Sequence, residues 1–292
     1  MEQLTQTKCP VLLKVVLVSA VALQISCHHQ SYSSPEGYNM RAPQKLQLGK
    51  VLNEISGIAY NDENNTVLAI SDSKEKVFDM NVRSPKLKDY THKVVPPNSD
   101  VEDIVKVKGN LYLLSSKGII YEVTKNQEDT TAVQSYSFWS AEQNDFETLY
   151  YDEASNGLIM MCKSCAADKG KQARSAYRFD LATHQFDSSA FFEISTEAIR
   201  KVMKDNDVKF DPSAAAIHPL NKRLYILSSA GNILVITDTR GKVIEGYHLN
   251  PDDHPQAEGI TFAPNGDMYI SDEGKFGHPT LQIYRYQSSK KK

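Results

Sequence analysis

The sequence lacks several features that identify common classes of protein. Its formal net charge is only −3, and its one run of three basic residues is the terminal 290–292. It therefore lacks the basic surface of a nucleic-acid-binding protein. The apolar run at residues 15–25 is shorter than the roughly 20 residues that a transmembrane helix needs. The motifs G-x-S-x-G and H-E-x-x-H and a glycine-rich phosphate loop are also missing, which excludes the enzyme classes that depend on them.

Cysteine is scarce, with four residues in the whole sequence. Cys9 and Cys27 lie near the start, which leaves Cys162 and Cys165 as a single C-x-x-C motif. A structural zinc site needs a second cysteine pair or well-spaced histidines, and a thioredoxin-like motif needs a helix start in an α/β fold. Neither context is found. We therefore expect a local disulfide in an oxidising compartment, with two free thiols as the alternative.

The first residues indicate export from the cytoplasm. Two lysines precede the apolar run at 15–25, and a small residue and Cys27 follow it, which is typical of a signal peptide. The arrangement resembles a bacterial lipobox, although Gln24 departs from the usual aliphatic residue. We expect a signal peptide over 1–26, a lipid such as palmitate on Cys27 that anchors the chain to a membrane, and a flexible tether over 27–43 on the periplasmic side. An ordinary signal peptide is the alternative.

Five short segments of similar sequence recur along the rest of the chain. Each consists of an acid or amide, any residue, a Glu or Ser, any residue and an apolar residue. Their polar pairs are Glu54 and Ser56, Asp100 and Glu102, Asp145 and Glu147, Asp211 and Ser213, and Gln256 and Glu258. The second members are 46, 45, 66 and 45 residues apart. A period of about 45 residues made of short strands predicts an all-β fold, a five-bladed β-propeller over residues 44–288.

The two polar positions of each segment are two residues apart, so they point to the same side of a strand. If that side lines the central tunnel, the tunnel carries seven carboxylates in two rings. Crowded carboxylates need a counter-charge, and an all-oxygen set of ligands suits Ca²⁺. The sequence therefore predicts a calcium ion held by Glu102, Glu147, Glu258, Glu54, Asp100, Asp145 and Asp211. The alternative is that these polar groups only line a water-filled channel or bond to backbone amides.

The ends of the repeat predict how the ring closes. A strand near residues 44–50 precedes the first segment, and only 36 residues follow Gln256. The first strand should therefore complete the last blade, which leaves no free edge. The 66-residue interval contains an insertion, in which residues 195–204 predict a helix capped by Ser195. That helix either packs on the propeller or covers the tunnel mouth.

Several of the segments together resemble the SdiA-regulated domain family. The resemblance is carried by E-I-S-G-I-A at residues 54–59, N-D-F-E-T-L at 144–149, D-P-S-A at 211–214 and Q-A-E-G-I-T at 256–261. It implies a five-bladed β-propeller with bound Ca²⁺ and no established catalytic activity. The implied calcium role falls first on Glu102, Glu147 and Glu258.

Two functions remain open from the sequence. The one we favour is a non-catalytic, monomeric module that binds a small molecule or a protein. The alternative is a calcium-dependent lactonase, esterase or phosphoesterase, which needs a base near the ion. His254 and His278 are the candidates for that base, although a histidine in a proline-rich loop is more often a surface residue. Ser56, Ser213 and Gln256 are less acidic ring positions at which a ligand could enter the tunnel mouth.

Overall fold

The computed structural model describes residues 32–71, 74, 76–84, 86–91, 96–125, 131–140, 142–274 and 277–288. Residues 1–31, with the predicted signal peptide and Cys27, lie outside the described part, as does the predicted basic tail at 289–292. The described strands form five antiparallel sheets. These sheets are the blades of a five-bladed β-propeller, so the predicted all-β fold is confirmed.

The strands of the blades follow one another in chain order. The first strand, β1 (Gln44–Gln47), precedes blade 1, which contains β2 (Ile55–Asn61), β3 (Thr66–Ser71), β4 (Phe78–Met80) and β5 (Leu87–Asp89). Blade 2 contains β6 (Val101–Val107), β7 (Asn110–Ser115), β8 (Ile119–Lys125) and β9 (Thr131–Ser137). Blade 3 contains β10 (Phe146–Asp152), β11 (Gly157–Cys162), β12 (Ala173–Asp180), β13 (Gln185–Phe186) and β14 (Phe192–Ser195).

A short helix, α1 (Thr196–Met203), separates blades 3 and 4. Blade 4 contains β15 (Ala214–Ile217), β16 (Leu224–Ser228), β17 (Ile233–Thr237) and β18 (Val243–His248). Blade 5 contains β19 (Ala257–Phe262), β20 (Met268–Asp272), β21 (Thr280–Tyr284) and the first strand, β1.

The ring closes as the sequence predicts. Strand β1 pairs antiparallel with β21, with Leu46 opposite Leu281, so the first strand completes the last blade. The first strands of the five blades, β2, β6, β10, β15 and β19, each contact the next one around a closed circle. These five are therefore the inner strands, and the tunnel runs between them.

The hydrophobic core is divided into five clusters, and each cluster lies between two adjacent blades. Neighbouring residues of one inner strand therefore belong to different clusters. Leu149 packs between blades 2 and 3, whereas Tyr150 packs between blades 3 and 4. Because both side-chain faces of an inner strand are covered by neighbouring blades, the edge of the strand faces the tunnel. The prediction that one side-chain face lines the tunnel is wrong for this reason.

The inserted helix packs on the side of the propeller. Its start is capped as predicted, since the backbone N–H of Ala198 donates to Ser195 Oγ at 3.1 Å. Ile199 is buried in the cluster between blades 3 and 4. The helix contacts β18, the outermost strand of blade 4. Of the two alternatives, the structure has the packed helix and not a cover over the tunnel mouth.

The segment before β1 is part of the folded domain from at least Tyr38. Tyr38 is 8% exposed and its hydroxyl donates to the carbonyl oxygen of Gly266 at 2.6 Å. Its ring packs edge-on against His218, Tyr225 and Tyr286. The prediction of a tether as far as residue 43 is therefore wrong for these residues, because an aromatic side chain fixes them to blades 4 and 5. Within the described part of the chain, no helix is both long and apolar enough to cross a membrane.

Candidate functional site

Four of the five inner strands begin with an irregularity at the second polar position of the repeat. Their pairing with the second strand of the blade shifts register across Ser56, Glu102, Glu147 and Glu258. Such a shift is typical of a β-bulge, which turns a side chain out of the regular alternation of a strand. The bulge explains how these residues can leave the packed faces of the blades at the start of the inner strands.

Glu147 and Glu258 come from blades 3 and 5, which are not neighbours in the ring, so the charge of Glu147 acts on Glu258 across the tunnel. The pKa of Glu258 is raised to about 8, first by burial and next by the charge of Glu147. Burial raises the pKa of Glu147 to about 7; Asp145 and Glu273 add to the shift, and Lys163 opposes it. Both carboxyls therefore favour a proton or a nearby cation near neutral pH.

The first polar positions form a second acidic group beside this pair. Burial raises the pKa of Asp145, which the charges of Asp100 and Asp211 raise further and Lys163 lowers. Arg174 Nη2 donates to Asp211 Oδ1 at 2.6 Å. We call this end of the tunnel the acidic mouth, and define it by Asp100, Asp145, Glu147, Asp211, Glu258 and Glu273.

Lys163 is a central residue of the acidic mouth that the sequence analysis missed. Its ammonium group contacts Glu147 Oε1, and its charge also acts on Glu258 and Asp145. The second oxygen of Glu147, Oε2, is buried and has no hydrogen-bond partner among the residues that the structure describes. One ammonium group thus faces several carboxylates, and one carboxylate oxygen of the mouth stays unsatisfied.

A regular feature of the blades places Lys163 and Glu273 at the mouth. In three blades, the residue directly after the second strand donates its backbone N–H to the carbonyl oxygen of the first polar position. The pairs are Ser116 with Asp100 at 3.0 Å, Lys163 with Asp145 at 2.9 Å and Glu273 with Gln256 at 3.0 Å. This feature leaves a signal in the sequence. An alignment of the five repeats shows which residue follows the second apolar run of each blade, and in blades 3 and 5 that residue is Lys163 and Glu273.

The other predicted positions differ in their exposure. Glu54 is exposed and Glu102 is half-buried. Ser56 and Ser213 are only 6% and 2% exposed, and Ser213 Oγ donates to the carbonyl oxygen of Ala257 at 2.8 Å. The idea that these serines form openings for a ligand is therefore wrong, because Ser213 joins blade 4 to blade 5. Gln256 remains at the mouth, where a hydrogen bond to Glu258 lowers the pKa of that carboxyl.

The two histidines proposed as bases have different environments. His254 is 2% exposed, with Nδ1 3.1 Å from Asp272 Oδ2 and Nε2 2.6 Å from the hydroxyl of Tyr284. Both ring nitrogens therefore form hydrogen bonds inside blade 5. His254 is neither a surface residue nor an accessible base. His278 is exposed and lines a shallow cleft that also includes Glu273.

The sulfur atoms of Cys162 and Cys165 form a disulfide. This bond encloses Lys163 and Ser164, so it closes a small loop directly at the acidic mouth. Cys165 is 7% exposed and belongs to the core cluster between blades 2 and 3. The loop that carries Lys163 is therefore tied to the core on both sides.

The fit of a calcium ion depends on the oxygens of the mouth. Within the described ranges, no group of three or more His, Cys, Asp and Glu side chains lies close enough together to hold a metal ion. The donors are nevertheless all oxygens, as a hard cation prefers, and Glu147 Oε2 is a buried oxygen without a partner. The chemistry of the donor set fits Ca²⁺, provided that Glu147 and Glu258 turn towards each other and Lys163 gives way.

The opposite end of the tunnel holds a cavity of about 430 Å³, lined by residues of all five inner strands. Lys106 lies in its wall with a side chain that is 5% exposed, and Nζ is 2.7 Å from Asn61 Oδ1 and 2.8 Å from Glu63 Oε1. The ammonium group of Lys106 is therefore paired inside this wall.

The closed ring of five antiparallel sheets around a central tunnel defines this protein as a β-propeller. The chain belongs to the SdiA-regulated family, whose model matches residues 31–276. No curated protein sequence matches it.

Solved structures of several enzymes are similar to this chain in fold. A luciferin-regenerating enzyme has a TM-score of 0.52 and 12% identity, over 85% of this chain and 96% of its own. The glutaminyl cyclase of Myxococcus xanthus has a TM-score of 0.52 and 10% identity, over 84% and 96%. The PQQ-bound aldose sugar dehydrogenase of Streptomyces coelicolor has a TM-score of 0.51 and 8% identity, over 84% and 99%. At such identities the similarity shows the propeller fold alone.

Proposed function

We propose that this chain is a lipid-anchored periplasmic propeller that binds Ca²⁺ at its acidic mouth and holds a small molecule or a protein partner there without transforming it. The observation that carries the proposal is a pair of buried carboxyl groups in the tunnel: burial raises the pKa of Glu147 to about 7, and burial and the charge of Glu147 raise the pKa of Glu258 to about 8. Like charges that are buried together need a cation or protons. A divalent ion satisfies both carboxylates at once.

Calcium is the ion that the donors favour. Carboxylate and amide oxygens are hard ligands, and Ca²⁺ accepts roughly six to eight of them in a flexible geometry, whereas Mg²⁺ demands a near-ideal octahedron. Glu147 and Glu258 would hold the ion directly, and Gln256 is the amide beside them. Asp145 and Glu273 add negative charge around the ion.

The first experiment measures calcium binding by isothermal titration calorimetry and by thermal unfolding, with chelator as the reference. Calcium at 100 times its dissociation constant should stabilise the fold by about 2.7 kcal/mol. Glu258→Gln should weaken binding by at least about tenfold, because it removes one charged ligand. Glu197→Gln, the same change at an exposed position of α1, is the matched control and should bind as the wild type does.

Lys163 provides a second arm of this experiment. Its ammonium group contacts the carboxylate that the ion would need, so Lys163→Gln should tighten calcium binding and not weaken it. Equal heats for wild type, Glu258→Gln and Lys163→Gln would refute a calcium site at the acidic mouth.

A calcium-dependent hydrolase is the second candidate. The observation that favours it is a carboxyl group with a pKa near neutrality, since a general base works best when its pKa lies near the working pH. Glu147, at about 7, has this property, whereas His254 has both nitrogens engaged. Ester, lactone and phosphoester substrates should be tested with calcium and with chelator. If one of these substrates is turned over, and the turnover is lost with chelator and in Glu147→Gln, the protein is an enzyme and the proposal of a non-catalytic binding function is wrong.

A further inference from the structure

A cleft of about 660 Å³ lies beside the acidic mouth, between the loop that follows β11 and Asp211, three residues ahead of β15. Four of its lining residues are cationic, namely Lys163, Lys169, Lys171 and Arg174. We call it the basic cleft. It shares Asp211 with the acidic mouth, and its Lys163 contacts Glu147 of that mouth, so a molecule in one lies next to the other.

The acidic residues of the basic cleft do not cancel its positive charge. Asp168 is 5% exposed, and its carboxylate accepts hydrogen bonds from the backbone N–H and the hydroxyl of Ser175 at 2.9 and 2.5 Å. The carboxylate of Asp168 is therefore hydrogen-bonded within blade 3. Asp211 is the only other acid of the lining that the structure describes, and Arg174 binds it.

Two donors of the basic cleft have no partner within the part of the chain that the structure describes. Arg174 Nε is buried without a hydrogen bond there, whereas Nη1 and Nη2 of the same guanidinium group donate to the carbonyl oxygen of Ala173 and to Asp211. Lys169 is exposed and forms no ion pair with any residue that the structure describes. Lys171 pairs with Glu193 at 2.8 Å, but both side chains are nearly half exposed, and such pairs contribute little. Lys169 and Lys171 can therefore turn to a ligand at low cost.

The wall of the basic cleft is held in place before any ligand binds. The disulfide between Cys162 and Cys165 fixes one end of the loop. The backbone N–H of Ala166 donates to the carbonyl oxygen of Gln143 at 3.0 Å, and that of Lys169 donates to Ala166 at 3.1 Å. A site that is already ordered loses less conformational entropy on binding than a flexible one.

We propose that the basic cleft binds an oxyanion group, a carboxylate or a phosphate, of the ligand that this propeller holds. A charged oxyanion accepts hydrogen bonds from guanidinium and ammonium groups, which are stronger than neutral ones. The same ligand then reaches the cation of the acidic mouth with its other end. This inference rests on the proposed function for the identity of the ligand, but anion binding by the cleft does not require calcium.

The test uses inorganic phosphate and succinate as probes, at an ionic strength kept constant with sodium chloride. Each probe should raise the melting temperature of the full chain in the presence of chelator, because the cleft alone supplies the contacts. Lys169→Glu should weaken binding by about tenfold, through the loss of one charge-assisted contact. Lys201→Glu makes the same charge change at an exposed position of α1 and should bind as the wild type does.

The comparison of probes and variants separates the outcomes. A response to phosphate and not to succinate assigns a phosphate group, and the reverse assigns a carboxylate. Equal losses in Lys169→Glu and Lys201→Glu, or no response in the wild type, would overturn the proposal. A calcium titration of Lys169→Glu separates failure of the basic cleft from failure of the proposed calcium site. The variant should bind calcium as the wild type does, even where it no longer binds the anion.

Discussion

Asp103 shows how a single buried carboxyl can join three inner strands. It is 4% exposed and accepts hydrogen bonds from the backbone N–H of Ile104 at 2.8 Å and of Leu149, in β10, at 2.7 Å. Burial raises its pKa well above the usual range of an aspartate. Gly57 of β2 comes so close that an added Cβ would lie 2.4 Å from Asp103 Oδ1. The acid thus lies where blades 1, 2 and 3 meet.

Asp103→Ala is expected to lower the free energy of unfolding by about 3 kcal/mol, because it leaves two buried backbone N–H groups without an acceptor. Urea unfolding at pH 7 measures the change. Asp252→Ala removes an exposed carboxylate and should alter stability by less than about 0.5 kcal/mol. Similar losses in the two variants would contradict the role given to Asp103.

His218 predicts how the stability of the fold depends on pH. The residue is fully buried among aromatic rings, and Nδ1 accepts hydrogen bonds from the backbone N–H of Leu220 and of Asn221, both at 3.1 Å. Burial lowers its pKa from 6.5 to about 4. The neutral form is therefore favoured in the fold, so its contribution is complete above pH 6.5 and is lost as the pH falls towards 4.

The corresponding experiment compares the wild type with His218→Asn at pH 7 and at pH 4.5. Asparagine keeps an acceptor near Nδ1 but does not titrate. The wild type should lose more stability between the two pH values than the variant does. Parallel losses would show that other groups control acid unfolding.

At the scale of the element, the loop of residues 162–165 connects a disulfide to the charges of the acidic mouth. Lys163 follows Cys162 directly, and its backbone N–H bonds to Asp145 while its ammonium group contacts Glu147. A disulfide that closes a loop of four residues restricts the unfolded chain by about 2 kcal/mol in the entropic model. The bond therefore stabilises the fold and limits the movement of Lys163.

Reduction of this disulfide should lower the free energy of unfolding by about 2 kcal/mol, as measured in urea with and without a phosphine reductant. The double variant Cys162→Ser, Cys165→Ser is the control and should not respond to the reductant. A wild type that is equally stable in both conditions would contradict a stabilising disulfide. If the reductant also lowers the stability of the double variant, the effect does not come from the Cys162–Cys165 disulfide.

The inner strands show why a short element can place charges so specifically. Most side chains along an inner strand are apolar, since its two faces pack on neighbouring blades. The charges of the acidic mouth come from the start of the strand, where a β-bulge turns a side chain out of the sheet. This constraint explains why the polar positions of the repeat cluster at the start of each inner strand.

At the scale of the whole molecule, the closed ring distributes its core over five junctions and leaves no long sheet edge in blade 5. The pairing of β1 with β21 joins residues that are more than 230 positions apart in the sequence. Propellers depend on this closure because an open ring exposes the face of a blade and an unpaired edge. Blade 5 therefore depends on two segments that are far apart in the sequence.

The proposed lipid anchor predicts where the full chain is found in the cell. The chain should fractionate with membranes and incorporate a clickable palmitate analogue. Cys27→Ser should abolish the label, because the thiol that carries the lipid is gone. A label that persists in Cys27→Ser, or a soluble wild type, would refute the anchor and leave the rest of the proposal to the calcium experiment.

The sequence by itself determined the number of blades, the closure by the first strand and the start of each inner strand. Those features follow from a repeated local pattern of apolar runs and turns, which can be read along the chain. Only the tertiary structure decided that the charge of Glu147 acts on Glu258, that Lys163 contacts Glu147 and that Ser213 and His254 are buried. The reason is physical: these outcomes depend on distances across the tunnel and on the bulges that aim each side chain, and neither is contained in the period of the repeat.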